Sequence, residues 1–306
     1  MKRFNVVNEK RGRLGPVVLA GILIALAGTA IPAQAAFTSI TTCNPAVAAP
    51  AGSLINTPGD YSVNQDLASV GDCILITSSG VSLKLNGHII TGPVGANVGI
   101  NVNPPSGRVD HVGIQGPGLI RNFLNGITMN NTDYSQVSQV TASANASNGI
   151  NGAGSTFLTV SSNVLVQNGI WGLLLTNLTN STVSSNEVTG NGGGLSVPAA
   201  GGIRVTGTAD TINNNAALGN GSHVGTPSFN AGIVIGTTFS RVTGNVTDGN
   251  VLVGILVSSG ATSNQIFSNT SSIGNAVNDL EDDNATCDSN LWANNNFLIR
   301  SQTCIH

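Results

Sequence analysis

Pairs of glycine and isoleucine, or glycine and leucine, recur along the chain at spacings of 22 to 30 residues. The pairs are Gly99-Ile100, Gly126-Ile127, Gly149-Ile150, Gly172-Leu173, Gly202-Ile203, Gly232-Ile233 and Gly254-Ile255. A repeat of this length is typical of a solenoid. Each pair opens a period-2 pattern, which predicts a strand whose side chains alternate between core and outer face. The predicted outward row is Asn101, Thr128, Asn151, Leu174, Arg204, Val234 and Leu256.

Each unit then carries a second apolar position and, in most units, two spaced asparagines. The second apolar positions are Val112, Val137, Val160, Val183, Ile212, Val242 and Ile266. The asparagine pairs are Asn163/Asn168, Asn186/Asn191, Asn215/Asn220, Asn245/Asn250 and Asn269/Asn275. Asn tolerates left-handed turns, and stacked Asn amides can hydrogen-bond along an axis. We therefore expect about eight coils of short parallel strands, stacked roughly 4.8 Å apart.

Composition supports a β-solenoid and excludes several other classes. Only 8% of the 306 residues are charged and 4% are aromatic, whereas 40% are hydrophobic. A helical bundle or coiled coil needs far more Glu, Lys and Arg, and a nucleic-acid binder needs a basic patch. A disordered chain would hold fewer apolar residues. We expect no nucleic-acid partner.

The N-terminal segment has the pattern of a signal peptide. Five basic residues (Lys2, Arg3, Lys10, Arg11 and Arg13) precede an apolar stretch and the small-x-small sequence Ala33-Gln34-Ala35. An uncleaved anchor is the alternative. No second apolar run follows, so no membrane span is expected once the signal is removed. The remaining chain would hold six basic and 13 acidic residues, a net charge of −7, in a secreted or periplasmic protein.

Four cysteines lie near the two ends of the mature chain: Cys43, Cys73, Cys287 and Cys304. Their positions suit an exported protein with disulfides. Three pairings are open, of which two local pairs are the simplest.

The terminal segments carry a more specific resemblance. The first includes Gly59-Asp60-Tyr61, Asp66-Leu67, Cys73-Ile74 and Val81-Ser82-Leu83-Lys84-Leu85-Asn86-Gly87-His88. The last includes Asp279-Leu280, Asp283-Asn284, Cys287-Asp288, Asn290, Trp292, Asn296-Phe297 and Cys304-Ile305. Together with the repeat, these resemble secreted bacterial right-handed parallel β-helix proteins of the pectin-lyase-like superfamily. That superfamily contains lyases, hydrolases, epimerases and carbohydrate-binding modules, so the resemblance is specific for fold and not for activity.

The resemblance implies an all-β, single-stranded right-handed parallel β-helix with disulfide-stapled caps. We divide the chain into a signal peptide (1–35), an N-terminal cap and first segment (36–80), the coils (81–278) and a C-terminal cap (279–306). An acidic cluster adjoins the last cap: Asp279, Glu281, Asp282, Asp283 and Asp288. Calcium is the cation it could hold, but the spacing is not that of an EF-hand loop, and a solvated turn is preferred. No cofactor is expected.

In the superfamily, polysaccharide binds in a groove over the outer face of one row of strands, with long loops as its walls. The corresponding row in this chain would be that of the Gly-Ile strands, and the corresponding loops would be the long segments 192–200 and 221–230. The candidate substrate-binding residues are Asn101, Thr128, Asn151, Trp171, Arg204 and His223. An aromatic ring, amides, hydroxyls and an arginine are suitable sugar contacts. The alternative is structural: Trp171 covers a turn and Arg204 is a solvated surface residue.

Evidence for catalysis is weaker, because the outward row holds no paired carboxylates. Alignment on the second apolar position makes Asp210 and Arg241 neighbours on adjacent coils, and Asp110-His111 with Asp133 is a second cluster. Either is more simply an exposed ion pair. The sequence thus predicts a non-catalytic module that binds polysaccharide or cell-envelope glycan. A lyase or epimerase of uronate glycans is the alternative, resting on fold resemblance alone.

Overall fold

The computed structural model describes residues 37–49, 52–193, 199–222, 230–271 and 274–306, and these are almost entirely strands and turns. The predicted signal peptide lies outside the described residues. Three long sheets, all parallel, run side by side along one axis. Parallel crossovers of this kind are right-handed, and the fold class is confirmed as a right-handed parallel β-helix. No helix in the described ranges is long and apolar enough to cross a membrane.

The first sheet, here called the Gly-Ile sheet, has ten strands. They are Leu54–Ile55, Ile74–Ile76, Val98–Val102, Asn125–Asn130, Asn148–Ala153, Trp171–Thr179, Gly201–Thr208, Ala231–Thr238, Val253–Val257 and Asn278–Asp282. The isoleucines of successive pairs are register partners, for example Ile100 with Ile127 and Ile127 with Ile150. The register predicted from the repeat is therefore the observed one.

The second sheet has 11 strands. They are Thr38–Ile40, Gly59–Val63, Val81–Lys84, Gly113–Gln115, Gln136–Ser138, Thr159–Ser161, Thr182–Ser184, Thr211–Asn213, Arg241–Thr243, Gln265–Phe267 and Leu291–Ala293. Most of them bury only their middle residue, which is usually Val or Ile, and turn the two flanking polar residues outward.

The third sheet has ten strands. They are Leu67–Ala68, Ile89–Thr91, Leu119–Arg121, Thr141–Ser143, Val164–Val166, Glu187–Thr189, Ala216–Leu218, Val246–Asp248, Thr270–Ser271 and Asn296–Phe297. A two-stranded sheet pairs Val109–Asp110 with Thr132–Asp133, and a 3₁₀ turn covers Ala285–Cys287.

Regular strands continue into both segments expected to form the caps, so the helix has more coils than the roughly eight expected from the repeat. The count was low because terminal coils replace the pair with other residues, such as Cys73-Ile74 and Asp279-Leu280. Inward side chains of all three sheets form one core, with Ile100, Ile150 and Ile203 fully buried. Burying each such side chain contributes about 2 kcal/mol.

The predicted asparagines, together with Asn145 and Asn295, form two ladders at the turns that flank the third sheet. One contains Asn163, Asn186, Asn215, Asn245, Asn269 and Asn295, and the other Asn145, Asn168, Asn191, Asn220, Asn250 and Asn275. From the second member of each ladder onward, Oδ1 accepts the backbone N–H of the ladder residue one coil earlier, as Asn186 does from Asn163 at 3.0 Å. The ladders pair groups that would otherwise be buried without partners.

The second ladder also explains the glycine that precedes isoleucine or leucine in the five inner pairs, from Gly126 to Gly232. A Cβ placed on Gly149 would lie 2.8 Å from Nδ2 of Asn168 and 2.7 Å from the carbonyl oxygen of Gly172. Gly202 and Gly232 meet the amides of Asn220 and Asn250 at 2.9 and 2.6 Å in the same way. Any larger residue would push the amide out of the ladder.

Both ends of the helix carry the expected disulfides, Cys43–Cys73 and Cys287–Cys304. At the C-terminal end the buried carboxylate of Asp282 accepts hydrogen bonds from Trp292 Nε1 at 2.9 Å and from Asn284. The buried Asp279 accepts the backbone N–H groups of residues 298 and 299. These two members of the acidic cluster therefore organise the cap.

Replacing one internal ladder residue should destabilise the whole helix. Asn186 accepts from the backbone and side-chain amides of Asn163 and donates to Val160 O and Asn215 Oδ1, all at 2.9–3.0 Å. Asn186→Ala leaves several of these buried groups unpaired, and we expect a loss of about 3 kcal/mol in the free energy of unfolding. Urea denaturation measures it. The exposed Asn103 provides the control, and an equal loss in Asn103→Ala would contradict the ladder's role.

Candidate functional site

The outward row predicted on the Gly-Ile sheet exists in register, but it is not open along its whole length. Asn101, Thr128 and Asn151 are Cα partners on adjacent coils, and the row continues through Leu174 and Arg204. Thr128 is only 6% exposed. Farther along, Val234 and Leu256 are buried as well, although they point away from the core.

Trp171 belongs to the small apolar cluster that buries this outer face. It is 2% exposed and packs with Ala231, Val234, Val253 and Leu256. Its ring face is therefore closed to a stacking sugar in this structure. Arg204 is half-buried between Leu174 and Val234, and burial lowers the pKa of its guanidinium from the ordinary value. His223 lies outside the described residues. Glycan binding by this row stays a prediction.

The predicted exposed ion pair of Asp210 and Arg241 is wrong. Asp210 is buried at 2% exposure, in the inward turn column that contains Ser181 and Ser240, and its Oδ1 accepts the N–H of Ser181 at 2.9 Å. The guanidinium of Arg241 instead lies 4.4 Å from the ring centre of Phe267. The prediction failed because a turn residue next to a strand can point inward.

One coil is shifted by two residues from the predicted alignment. Ile114, not Val112, is the partner of Val137, and Gly113, not His111, is the partner of Gln136. The segment holds two apolar residues two positions apart, and the later one, Ile114, occupies the middle of the strand in the second sheet. Asp110 consequently pairs with Asp133, which brings His111 beside the aromatic residue of the next coil.

Three aromatic side chains stack along the axis at this turn, and we call them the aromatic ridge: His111, Tyr134 and Phe157. The ring centres of His111 and Tyr134 are 5.6 Å apart, and those of Tyr134 and Phe157 are 4.8 Å apart, with planes within 18° of parallel. These separations are in the range of offset stacking. Tyr134 is 58% and Phe157 42% exposed, so the ridge is a surface feature.

All three ridge residues have left-handed backbone, with φ of 53°, 47° and 54°. A non-glycine residue in this conformation costs roughly 1 kcal/mol, and Gly or Asn is the usual occupant. The same turn position holds Asn180, Ala209 and Phe239 in later coils. The fold therefore accepts small residues here and does not require aromatic ones.

A groove of about 580 Å³ lies between the ridge and the outer face of the second sheet. The ridge forms one wall, and the rest of the lining is mostly small or uncharged polar residues, among them Ser82, Gln115, Gln136 and Thr159. An apolar wall beside hydroxyl and amide groups is the composition expected of a sugar site.

A charged group flanks the ridge outside the groove lining. Arg108 donates Nε to Asp133 Oδ2 at 2.6 Å and a second hydrogen bond to Oδ1. The Arg108 hydrogen bonds hold the pKa of the Asp133 carboxyl below its ordinary value. His111 Nδ1 is 3.6 Å from Asp110 Oδ1. The predicted Asp110-His111-Asp133 cluster is thus brought together, with Asp133 occupied by Arg108.

Within the described ranges, no three His, Cys, Asp or Glu side chains lie close enough to hold a metal ion. The finding covers the C-terminal acidic cluster. The expectation that the protein uses no cofactor stays a prediction.

Sequence reasoning missed the ridge, although a signal was present. Asp110-His111, Asp133-Tyr134 and Thr156-Phe157 repeat at the 23-residue spacing of the Gly-Ile pairs. Alignment on this two-residue motif would have stacked the three rings. Alignment on Val112 moved His111 into a different column.

No family model and no curated protein matches the sequence. Solved structures do match. The DFA-IIIase from Arthrobacter chlorophenolicus A6 in complex with GF2 is 14% identical with a TM-score of 0.55, over 79% of this chain and 68% of that one. The form without its lid, also with GF2, is 15% identical with a TM-score of 0.53, over 79% and 70%.

The similarity establishes the fold. These neighbours are parallel β-helices, which confirms the predicted resemblance at the level of the fold. Identities of 14% and 15% carry no information on the activity of this chain.

Asp210 should make the stability of the protein depend on pH. Burial raises the pKa of its carboxyl to about 6, from 3.8, and its Oδ2 has no hydrogen-bond partner. The native state therefore binds a proton more tightly than the unfolded chain, so stability falls as pH rises from about 4 to 6. Asn264 fills the same column in a later coil and donates to Thr237 O.

We expect Asp210→Asn to be more stable than wild type above pH 7, by about 3 kcal/mol, and to lose most of this advantage near pH 4. Urea unfolding across this pH range measures the difference. Asp60→Asn, at an exposed position, is the control and should follow wild type throughout. A constant difference between Asp210→Asn and wild type at every pH would rule out a raised pKa.

Proposed function

We propose that the protein is an extracytoplasmic glycan-binding module whose site is the groove beside the aromatic ridge. The observation that carries the proposal is the exposed stack of His111, Tyr134 and Phe157 along a groove with hydroxyl and amide groups. Sugars present apolar C–H faces and polar edges, so aromatic rings beside hydrogen-bonding groups match both.

The backbone at the ridge supports a role other than folding. Aromatic residues occupy left-handed positions at which Asn180 and Ala209 also fit. Exposed rings contribute little to the hydrophobic core. Their stacking stabilises by about 1 kcal/mol per pair, which is comparable to the cost of the left-handed backbone at each residue. Binding is a reason to keep rings at such positions.

The fold and its disulfides agree with this proposal. Carbohydrate-active β-helix proteins are among the structural neighbours. Two disulfides favour an oxidising compartment outside the cytoplasm, in line with the signal peptide predicted from residues 1–35. The lyase or epimerase alternative has no comparable observation among the described residues.

Removing the rings while keeping the turn should abolish binding. In Tyr134→Asn/Phe157→Asn the new residues suit left-handed backbone, as Asn180 does at φ 51°, so the fold should persist. We expect at least about a tenfold loss of affinity, equivalent to 1.4 kcal/mol. A glycan array identifies ligands of the wild type, and titration calorimetry compares the variants.

Phe239→Asn is the matched control, because Phe239 holds the same turn position at φ 55°, is 70% exposed and does not line the groove. It should bind as wild type does. A second arm, Asn151→Ala/Arg204→Ala, tests the Gly-Ile row. Loss of binding only in that arm would refute the ridge site, and a wild type that retains no glycan would refute the function.

A further inference from the structure

We propose that the ligand is an uncharged polysaccharide that lies parallel to the helix axis along the second sheet. The inference rests on the proposed glycan-binding function and specifies its substrate class and path. Two outward columns of the second sheet, here called the outer strip, carry it. One column is Gly113, Gln136, Thr159, Thr182 and Thr211, and the other Gln115, Ser138, Ser161, Ser184 and Asn213.

The outer strip contains no charged side chain over five successive coils. Its side chains are half-buried or exposed. Hydroxyl and carboxamide groups both donate and accept hydrogen bonds, as sugar hydroxyls do. A polyanionic glycan would instead need cations at the site, particularly on a chain whose predicted mature net charge is negative.

The strip's side chains are also unused by the fold. Within the described ranges, none of its hydroxyl or amide groups makes a side-chain hydrogen bond to the protein, and Oδ1 of Asn213 is buried without a partner. The inward turn asparagines, by contrast, are paired coil after coil. Unused donors and acceptors in regular columns provide a ligand with many weak, repeated contacts.

Cations border the strip at both ends, and each rests on an aromatic ring. Lys84 Nζ lies 4.7 Å from the ring centre of Phe37, and the Arg241 guanidinium lies 4.4 Å from that of Phe267. Cation–π contact of this kind fixes the position of the charge beside its ring. The uncharged strip therefore ends, on each side, at a positive charge whose position is fixed by contact with a ring.

The direction of the ligand follows from the coil spacing. Adjacent coils of a parallel sheet are about 4.8 Å apart, so five coils extend over roughly 20 Å along the axis. The ridge and groove cover the coils of His111, Tyr134 and Phe157, and the strip continues past them at Thr182 and Thr211. A short oligosaccharide would fill the groove, and a longer chain would also contact the later coils.

The test places a charge in the strip beyond the groove. Thr182→Glu should weaken binding of six-residue neutral oligosaccharides by about tenfold, because burying a carboxylate under ligand costs far more solvation than burying a hydroxyl, and sugar hydroxyls replace only part of its water. Three-residue oligosaccharides should bind unchanged. The probes are matched trimers and hexamers of β-glucan, xylan and mannan, with hexagalacturonate as the acidic hexamer.

Two variants separate charge from other effects. Thr182→Gln adds similar bulk without charge and should keep most hexamer binding. Thr141→Glu adds the same charge at a half-buried outward threonine on the third sheet and should have no effect. Thermal unfolding checks that all three variants fold.

The outcomes distinguish this inference from the function beneath it. Neutral hexamers that bind more tightly than trimers, and lose that advantage only in Thr182→Glu, support the axial path. Binding of hexagalacturonate alone, or hexamer binding unchanged by Thr182→Glu, overturns it, while ridge-dependent binding would still support the glycan function. If wild type binds no probe and no array glycan, both proposals fail.

Discussion

The contact between an asparagine amide and a glycine backbone one coil away is the constraint on which the rest of the helix depends. The Asn168 amide occupies the space that a Cβ on Gly149 would fill, and it also donates to the Oδ1 of Asn191 in the next coil at 2.9 Å. The turn, the ladder and the start of the Gly-Ile strand are therefore fixed together. A slip of one residue would put a side chain where the amide lies and would leave buried amides unpaired.

This constraint separates two populations of polar residues that look alike in the sequence. Asparagines in the inward turns pair with the next coil, whereas the serines and threonines of the outer strip have no protein partner in the described ranges. The first group stabilises the stack, because unpaired buried groups are costly. The second contributes little to folding beyond strand propensity and is available to a ligand.

Most of the fold could be predicted because it repeats locally. Spacing alone gave the Gly-Ile register, the asparagine ladders and the sheet alternation, and two local cysteine pairs were the simplest pairing. The site was harder. The coil of Ile114 offers two apolar residues, Val112 and Ile114, which are both buried, and only the fold decides which one pairs with Val137 in the second sheet. The burial of Trp171 could not be predicted for a different reason: the burial of an outward residue depends on what packs over the sheet, and a repeat carries no information on that.

The charges around the aromatic ridge also favour the adjacent groove as the proposed ligand site. Asp133 and Asp110 stand on adjacent coils directly beside the rings, where two free carboxylates would repel each other. Arg108 donates hydrogen bonds to both carboxylate oxygens of Asp133, so the negative charge of Asp133 is neutralised locally. The groove thus faces stacked rings, hydroxyls and amides, and one of the two flanking carboxylates, that of Asp133, is already paired. An apolar wall needs no ion to balance it, and an uncharged chain loses little solvation when it lies against one. On that physical ground we propose a neutral glycan, and not an acidic one, for this surface.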